Sequence, residues 1–227
     1  MVKESRKEAG MNNFYVALFI AILVIIITTL LLRKLKRGLR TVVLTGLSES
    51  GKTALFTKLV FNKPKKSVTS LKENEATLSE YQLRLVDIPG AERLRSRFWE
   101  QYRVVAQRVI FVVDSTTVEQ KLRELCEYLY SLLSDETLYE NKIRFSIACN
   151  KQDLSGAKRT MEIKEILEKE LDAIRATKSG QLGKTSNEDD TDYLARLDSK
   201  TLTFDNLGVN FIETSVHNLD QLVKLVL

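Results

Sequence analysis

With 227 residues, 44% of them apolar, the chain can bury one medium-sized core and still carry a modest extension. Residues 1–40 hold eight Lys and Arg (Lys3, Arg6, Lys7, Arg33, Lys34, Lys36, Arg37, Arg40) against Glu4 and Glu8, more than the whole formal charge of +5. A basic face over the remainder, and with it direct binding of nucleic acid, is therefore excluded. Cys126 and Cys149 are too few for a disulfide framework or a zinc site, and both are expected to be buried free thiols in a reducing compartment.

In chain order, the first feature is the uncharged run from Phe14 to Leu32. At about 1.5 Å per helical residue it matches the ~30 Å core of a bilayer. A buried core helix would have to be apolar on all sides and rarely starts a soluble domain. A cleaved signal peptide has a shorter apolar stretch and a small-residue cleavage site, whereas this run ends in RKLKR. The expected organisation is a short lumenal tail (1–12), one transmembrane helix (13–32) and a basic cytosolic linker (33–40). The heavier basic flank lies after the span, which places the C-terminal part in the cytosol.

From residue 41 to 227 short β-rich runs alternate with helical stretches, the pattern of a mostly parallel sheet with helices on both faces. Strands are expected at Arg40 to Thr45, Thr77 to Asp87 (with room for two segments), Gln107 to Asp114, Ile143 to Asn150 and Asn210 to Glu213. Helices are expected at Gly51 to Phe61, Val118 to Leu133, Met161 to Ala176 and after Asn218. The polar, acidic stretch from about 178 to 200 reads as a surface insertion that contributes little to the fold.

The chemistry sits at the strand ends. Gly46-Leu47-Ser48-Glu49-Ser50-Gly51-Lys52-Thr53 fits GxxxxGK[ST] between a strand and a helix. Glycine at both ends lets backbone N–H groups converge on phosphate oxygens, Lys52 adds a point charge, and Thr53 offers a hydroxyl to Mg²⁺. Asp87-Ile-Pro-Gly90 follows a strand. There Asp87 can hold Mg²⁺ through water, and the Gly90 amide can meet a γ-phosphate. Asn150-Lys151-Gln152-Asp153 also follows a strand. Asp153 can accept two hydrogen bonds from a guanine edge and would reject adenine, the Lys151 stem can cover the base, and Asn150 can tie the loop to the phosphate loop. Ser215 and Val216 lie where a loop after the last strand can touch the base.

These four elements, in this order, resemble the small GTPase superfamily over residues 41–227. The resemblance implies a Ras-like P-loop GTPase fold with GTP and Mg²⁺ as ligands. Within it, GLSESGKT, DIPG, FVVDS and the preceding apolar span are similar to the β-subunit family of signal recognition particle receptors. Arf and Sar trafficking GTPases share the domain but use a lipid-modified or amphipathic N-terminal helix. The receptor resemblance implies an endoplasmic reticulum membrane location and docking of the receptor's α subunit through its N-terminal domain. The pattern departs in three places. Switch I should supply a metal-reaching Thr, for which Thr69 is preferred over Ser67 and Ser70. Ala91 stands where many GTPases carry a water-orienting Gln or His, which implies very slow intrinsic hydrolysis. Val216 replaces the commoner Ala. Arg93, Phe98 and Trp99, in an Arg- and aromatic-rich switch II, are candidates for a partner interface, with Phe98 and Trp99 equally readable as core. His217 is read as structural.

Overall fold

A computed structural model describes residues 19–28, 39–63, 72–182, 192–196 and 202–227. The chain divides into two units, Met1–Leu39 and Arg40–Leu227. In the first, residues 19–28 are helical and exposed. Among the described residues no helix is long and apolar enough to cross a membrane. Both ends of the expected 13–32 span, the 1–12 tail, residues 33–38 of the linker, and Ser67, Thr69 and Ser70 of switch I lie outside the described residues.

The second unit is built from β1 (Arg40–Thr45), α1 (Lys52–Phe61), β2 (Asn74–Leu78), β3 (Leu83–Asp87), α2 (Glu92–Tyr102) and β4 (Ala106–Asp114). It continues with α3 (Leu122–Leu133), α4 (Glu136–Glu140), β5 (Arg144–Asn150), α5 (Thr160–Leu182), α6 (Tyr193–Arg196), β6 (Asn210–Glu213) and α7 (Asp220–Val226). The sheet order is β2-β3-β1-β4-β5-β6. β2 pairs antiparallel with β3, and the remaining pairs are parallel.

A parallel sheet covered on both faces needs strands that are apolar on both sides, which is what the runs VVL, VIFVV and FSIAC supply. Val43, Val86, Phe111 and Ile147 point into one core with Trp99, Leu129 and Leu167 of α2, α3 and α5. Leu44, Leu85, Ile110 and Val112 point into the other with Leu55, Phe56 and Leu222 of α1 and α7. Each fully buried side chain of this size contributes about 1.5–3 kcal/mol. Cys126 and Cys149 are free and buried, and burial pushes both thiols up to about 12.

Two expectations are revised. The strand region holds the two segments allowed for, the β2–β3 hairpin, but begins at Asn74 rather than Thr77; it is turned by a short 3₁₀ segment at Ser79–Tyr81 with Gln82 in a left-handed conformation (φ 48°). Of the polar insertion, residues 183–191 and 197–201 lie outside the described residues; within the described part α5 runs on through Leu182, and Leu194 is fully buried. Tyr193 stacks on Tyr139 with ring centroids 3.6 Å apart, and Asp192 accepts from the Tyr130 hydroxyl at 3.0 Å. Composition alone missed this because two apolar side chains in a polar stretch suffice to dock it.

Candidate functional site

The parallel strands β1, β3, β4, β5 and β6 all end at one edge of the sheet, so the loops that follow them meet there. After β1 the chain turns through Gly46 to Thr53. Gly51 sits at φ 94°, and a Cβ there would lie 2.2 Å from the Asn150 amide nitrogen, so glycine is required both by conformation and by space. Leu47 and Ser50 are buried, Ser48 is half-buried, and Glu49 is exposed at φ 67° and pairs with Lys121 at 3.1 Å. Lys52 is 6% exposed; its ammonium donates to the Leu47 carbonyl at 2.6 Å and to Ser50 Oγ at 3.4 Å. Burial lowers this lysine to about 8, with Asp87 opposing the shift and Arg95 adding to it. A buried cation over a turn of backbone N–H groups suits a highly charged anion.

Below it, Thr53 Oγ1 and Asn74 Nδ2 donate to the same oxygen of Asp87, at 2.7 and 2.9 Å. The other, Oδ1, is buried with no hydrogen-bond partner. Burial raises the Asp87 carboxyl, while Thr53, Asn74 and Lys52 pull it down. An orphaned buried carboxylate oxygen beside a hydroxyl fits a hard cation such as Mg²⁺. Among the described residues no cluster of three or more His, Cys, Asp or Glu could hold a metal. A cation here would take its remaining ligands from water or a bound phosphate, as Mg²⁺ does. Gly90 closes over the phosphate loop so tightly that a Cβ would be 2.5 Å from the Ser48 nitrogen and 2.8 Å from Lys52 Nζ. Ala91 follows as the residue preceding α2.

The loop after β5 is tied to the phosphate loop directly. Asn150, 1% exposed, donates from Nδ2 to the Ser50 carbonyl at 2.8 Å. Lys151 adopts φ 65°, and its ammonium reaches Asp114 Oδ2 at 2.5 Å. Gln152 N donates to the Thr214 carbonyl at 3.3 Å and Thr214 N to the Cys149 carbonyl at 3.0 Å, which draws Ser215 and Val216 alongside. Asp153, its side chain about a third exposed, lies 3.8 Å from His217 Nε2. His217 is an exposed loop residue ahead of α7. Sequence reasoning missed Asn74, Asp114 and His217 as neighbours of this site. Only Asp114 carried a signal, since it closes a strand that ends at the same edge.

Switch II corrects part of the interface expectation. Phe98 and Trp99 are 8% and 5% exposed and belong to the core; Trp99 Nε1 donates to Asp135 Oδ2 at 2.7 Å. Arg95 is buried too, paired with Glu124 at 3.1 Å and lying 4.4 Å over the Tyr128 ring. Arg93 and Arg97 remain exposed. A cavity of about 610 Å³ opens beside this helix, lined by Trp99, Arg103, Asp135 and Lys178, and contains none of the motif residues.

The family model described as "Signal recognition particle receptor beta subunit" matches residues 37–211. The chain belongs to that family. It is similar to the signal recognition particle receptor subunit beta of Rattus norvegicus, 38% identical over 149 residues, covering 63% of this chain and 55% of the rat protein. The Homo sapiens subunit is 36% identical over 168 residues, covering 70% of this chain and 62% of that protein. The match thus spans somewhat over half the length of these curated relatives. Among solved structures, one titled "The Structure of the Mammalian SRP Receptor" superposes with a TM-score of 0.70 at 32% identity, over 82% of this chain and 97% of that one. The Ras-like α/β fold with its mostly parallel sheet follows from this likeness and from the topology above.

Proposed function

We propose that the chain binds GTP with Mg²⁺ and serves as the β subunit of a signal recognition particle receptor. In this reading it anchors the α subunit, through that subunit's N-terminal domain, at the endoplasmic reticulum membrane for co-translational targeting. The observation that carries the reading is the hydrogen bond from Asn150 to the Ser50 carbonyl. It joins a loop suited to a purine edge to a loop suited to phosphates, 100 residues apart in the chain. Backbone N–H groups of residues 46–53 and Lys52 would hold the phosphates, Thr53 and Asp87 the metal, and Gly90 the γ-phosphate end. Asp153 would read the guanine edge, with the Lys151 stem on the ring face and Ser215 and Val216 at the rim. The names of the relatives support the receptor role.

Bound Mg²⁺ supplies neutralisation of phosphate charge, and the protein's own part is positioning. A methyl group at Ala91 has no donor or acceptor to orient a water, so the chain acts as a binding module whose GTP persists. Thr69 is the proposed switch I contact, and the exposed Arg93 is proposed to meet the partner. Residues 13–32 are the proposed membrane span, with the basic linker 33–40 on the cytosolic side.

The test is the nucleotide content and affinity of the full chain purified in detergent. GDP or GTP in near-stoichiometric amount is expected, with ATP competing poorly. Absence of guanine-nucleotide binding would defeat the assignment, and rapid single-turnover hydrolysis by the chain alone would defeat the binding-module reading. Retention in the bilayer through a carbonate wash is expected, and release would remove the span.

A further inference from the structure

The FVVDS run ends β4 at Asp114, directly beside Asn150 in the β4–β5 register. Both carboxylate oxygens of Asp114 are engaged. Oδ1 accepts from Thr116 N at 2.9 Å and Thr116 Oγ1 at 2.7 Å, while Oδ2 accepts from Lys151 Nζ at 2.5 Å. The turn carrying the carboxylate is itself braced. Ser115 N donates to the Asn150 carbonyl at 3.1 Å, Gln152 Nε2 to Ser115 Oγ at 2.9 Å, and Lys158 N to the Ser115 carbonyl at 2.9 Å. Its side chain is 12% exposed, against 28% for Lys151.

Lys151 is the longer and more exposed member. It sits in a left-handed conformation, and its Cε comes within 4.0 Å of where a Cβ on Gly51 would be, so the stem runs past the last turn of the phosphate loop. A free lysine stem samples many rotamers, and ordering it on ligand binding weakens affinity. Anchoring the ammonium beforehand removes that cost.

We propose that Asp114 is a positioning residue for guanine nucleotides, holding the Lys151 ammonium so that the aliphatic stem is pre-ordered as the surface on which the purine plane rests. This rests on the reading of the site as a guanine-nucleotide site. Burial raises the Asp114 carboxyl, but the hydrogen bonds from Lys151 and Thr116 outweigh it and leave the group below its ordinary value. The anchor is therefore charged throughout the neutral range.

The experiment is equilibrium binding of GDP and inosine diphosphate, with Mg²⁺, to the full chain and its variants. Asp114→Asn should weaken both nucleotides about tenfold and equally, because the stem contacts the ring plane and not the exocyclic amine. In a Lys151→Met background the same substitution should cost less than about twofold, because its effect runs through the lysine. Asp114→Glu keeps the charge while fitting the Thr116 turn poorly, so it should stay within about threefold of the parent; it also serves if Asp114→Asn does not fold. A parent-like affinity in Asp114→Asn, an undiminished effect in the Lys151→Met background, or a Glu variant as weak as Asn would each overturn the inference. If the parent chain binds GDP and these relations fail, only this inference is lost. If the parent binds no guanine nucleotide, the reading of the site falls and the inference with it.

Discussion

Replacing Asn150 by alanine perturbs the junction of the two nucleotide-facing loops. The amide nitrogen is buried and donates to the Ser50 carbonyl at 2.8 Å, so truncation strands that acceptor. Leaving a buried acceptor unpaired costs about 1–3 kcal/mol. The Asn150 Oδ1 has no partner either, and removing it returns part of that loss. The expected net is about 1–2 kcal/mol, which for a domain of this size lowers Tm by roughly 2–8 °C. Asn150→Asp should be worse at neutral pH, because it sets a carboxylate oxygen against the Ser50 carbonyl. Thermal melts of the full chain, with and without added GDP, give the ranking. If the alanine variant melts within about 1 °C of the parent, or the aspartate variant matches alanine, the hydrogen bond does not join the loops as described.

Leu194→Ala in the polar insertion should destabilise the fold by about 2–4 kcal/mol in urea denaturation, since the side chain is fully buried; a loss under about 0.5 kcal/mol would return that stretch to the surface. Lys52 titrates at about 8 folded against 10.5 unfolded, so between those values the unfolded chain binds more protons. Stability from this group should therefore rise with pH through that window. Measured as the difference between parent and Lys52→Met at pH 7.5 and 9.0, it should shift in favour of the parent. Cys126 and Cys149, raised to about 12 by burial, should resist a thiol reagent at pH 8 and both react in urea; prompt labelling of the native chain would contradict their burial.

The phosphate loop, the DxxG turn and the loop around Asp153 were legible because each does its work through a contiguous string with a fixed backbone path. Asn74 and Asp114 were not, since they act across strands and their neighbours appear only once the sheet order is known. Phe98 and Trp99 were ambiguous beside so many arginines. Yet Arg95, Phe98, Trp99 and Tyr102 fall at i, i+3, i+4 and i+7, and this stripe is the buried side of α2. The strand boundary at Asn74 escaped because NEATL lacks a β-branched run, and pairing with β3 rather than propensity makes it a strand.

Every loop of the candidate site hangs from a different strand, and the contributing residues run from Gly46 to Val216. No single fragment of the chain owns the whole of it. A nucleotide bound there would act as a fastener across the whole sheet, adding about 2.7 kcal/mol of stability at a hundred times its Kd. Occupancy would then be a gauge of complete folding, so a chain damaged far from the crevice should betray itself first through slack retention of its ligand.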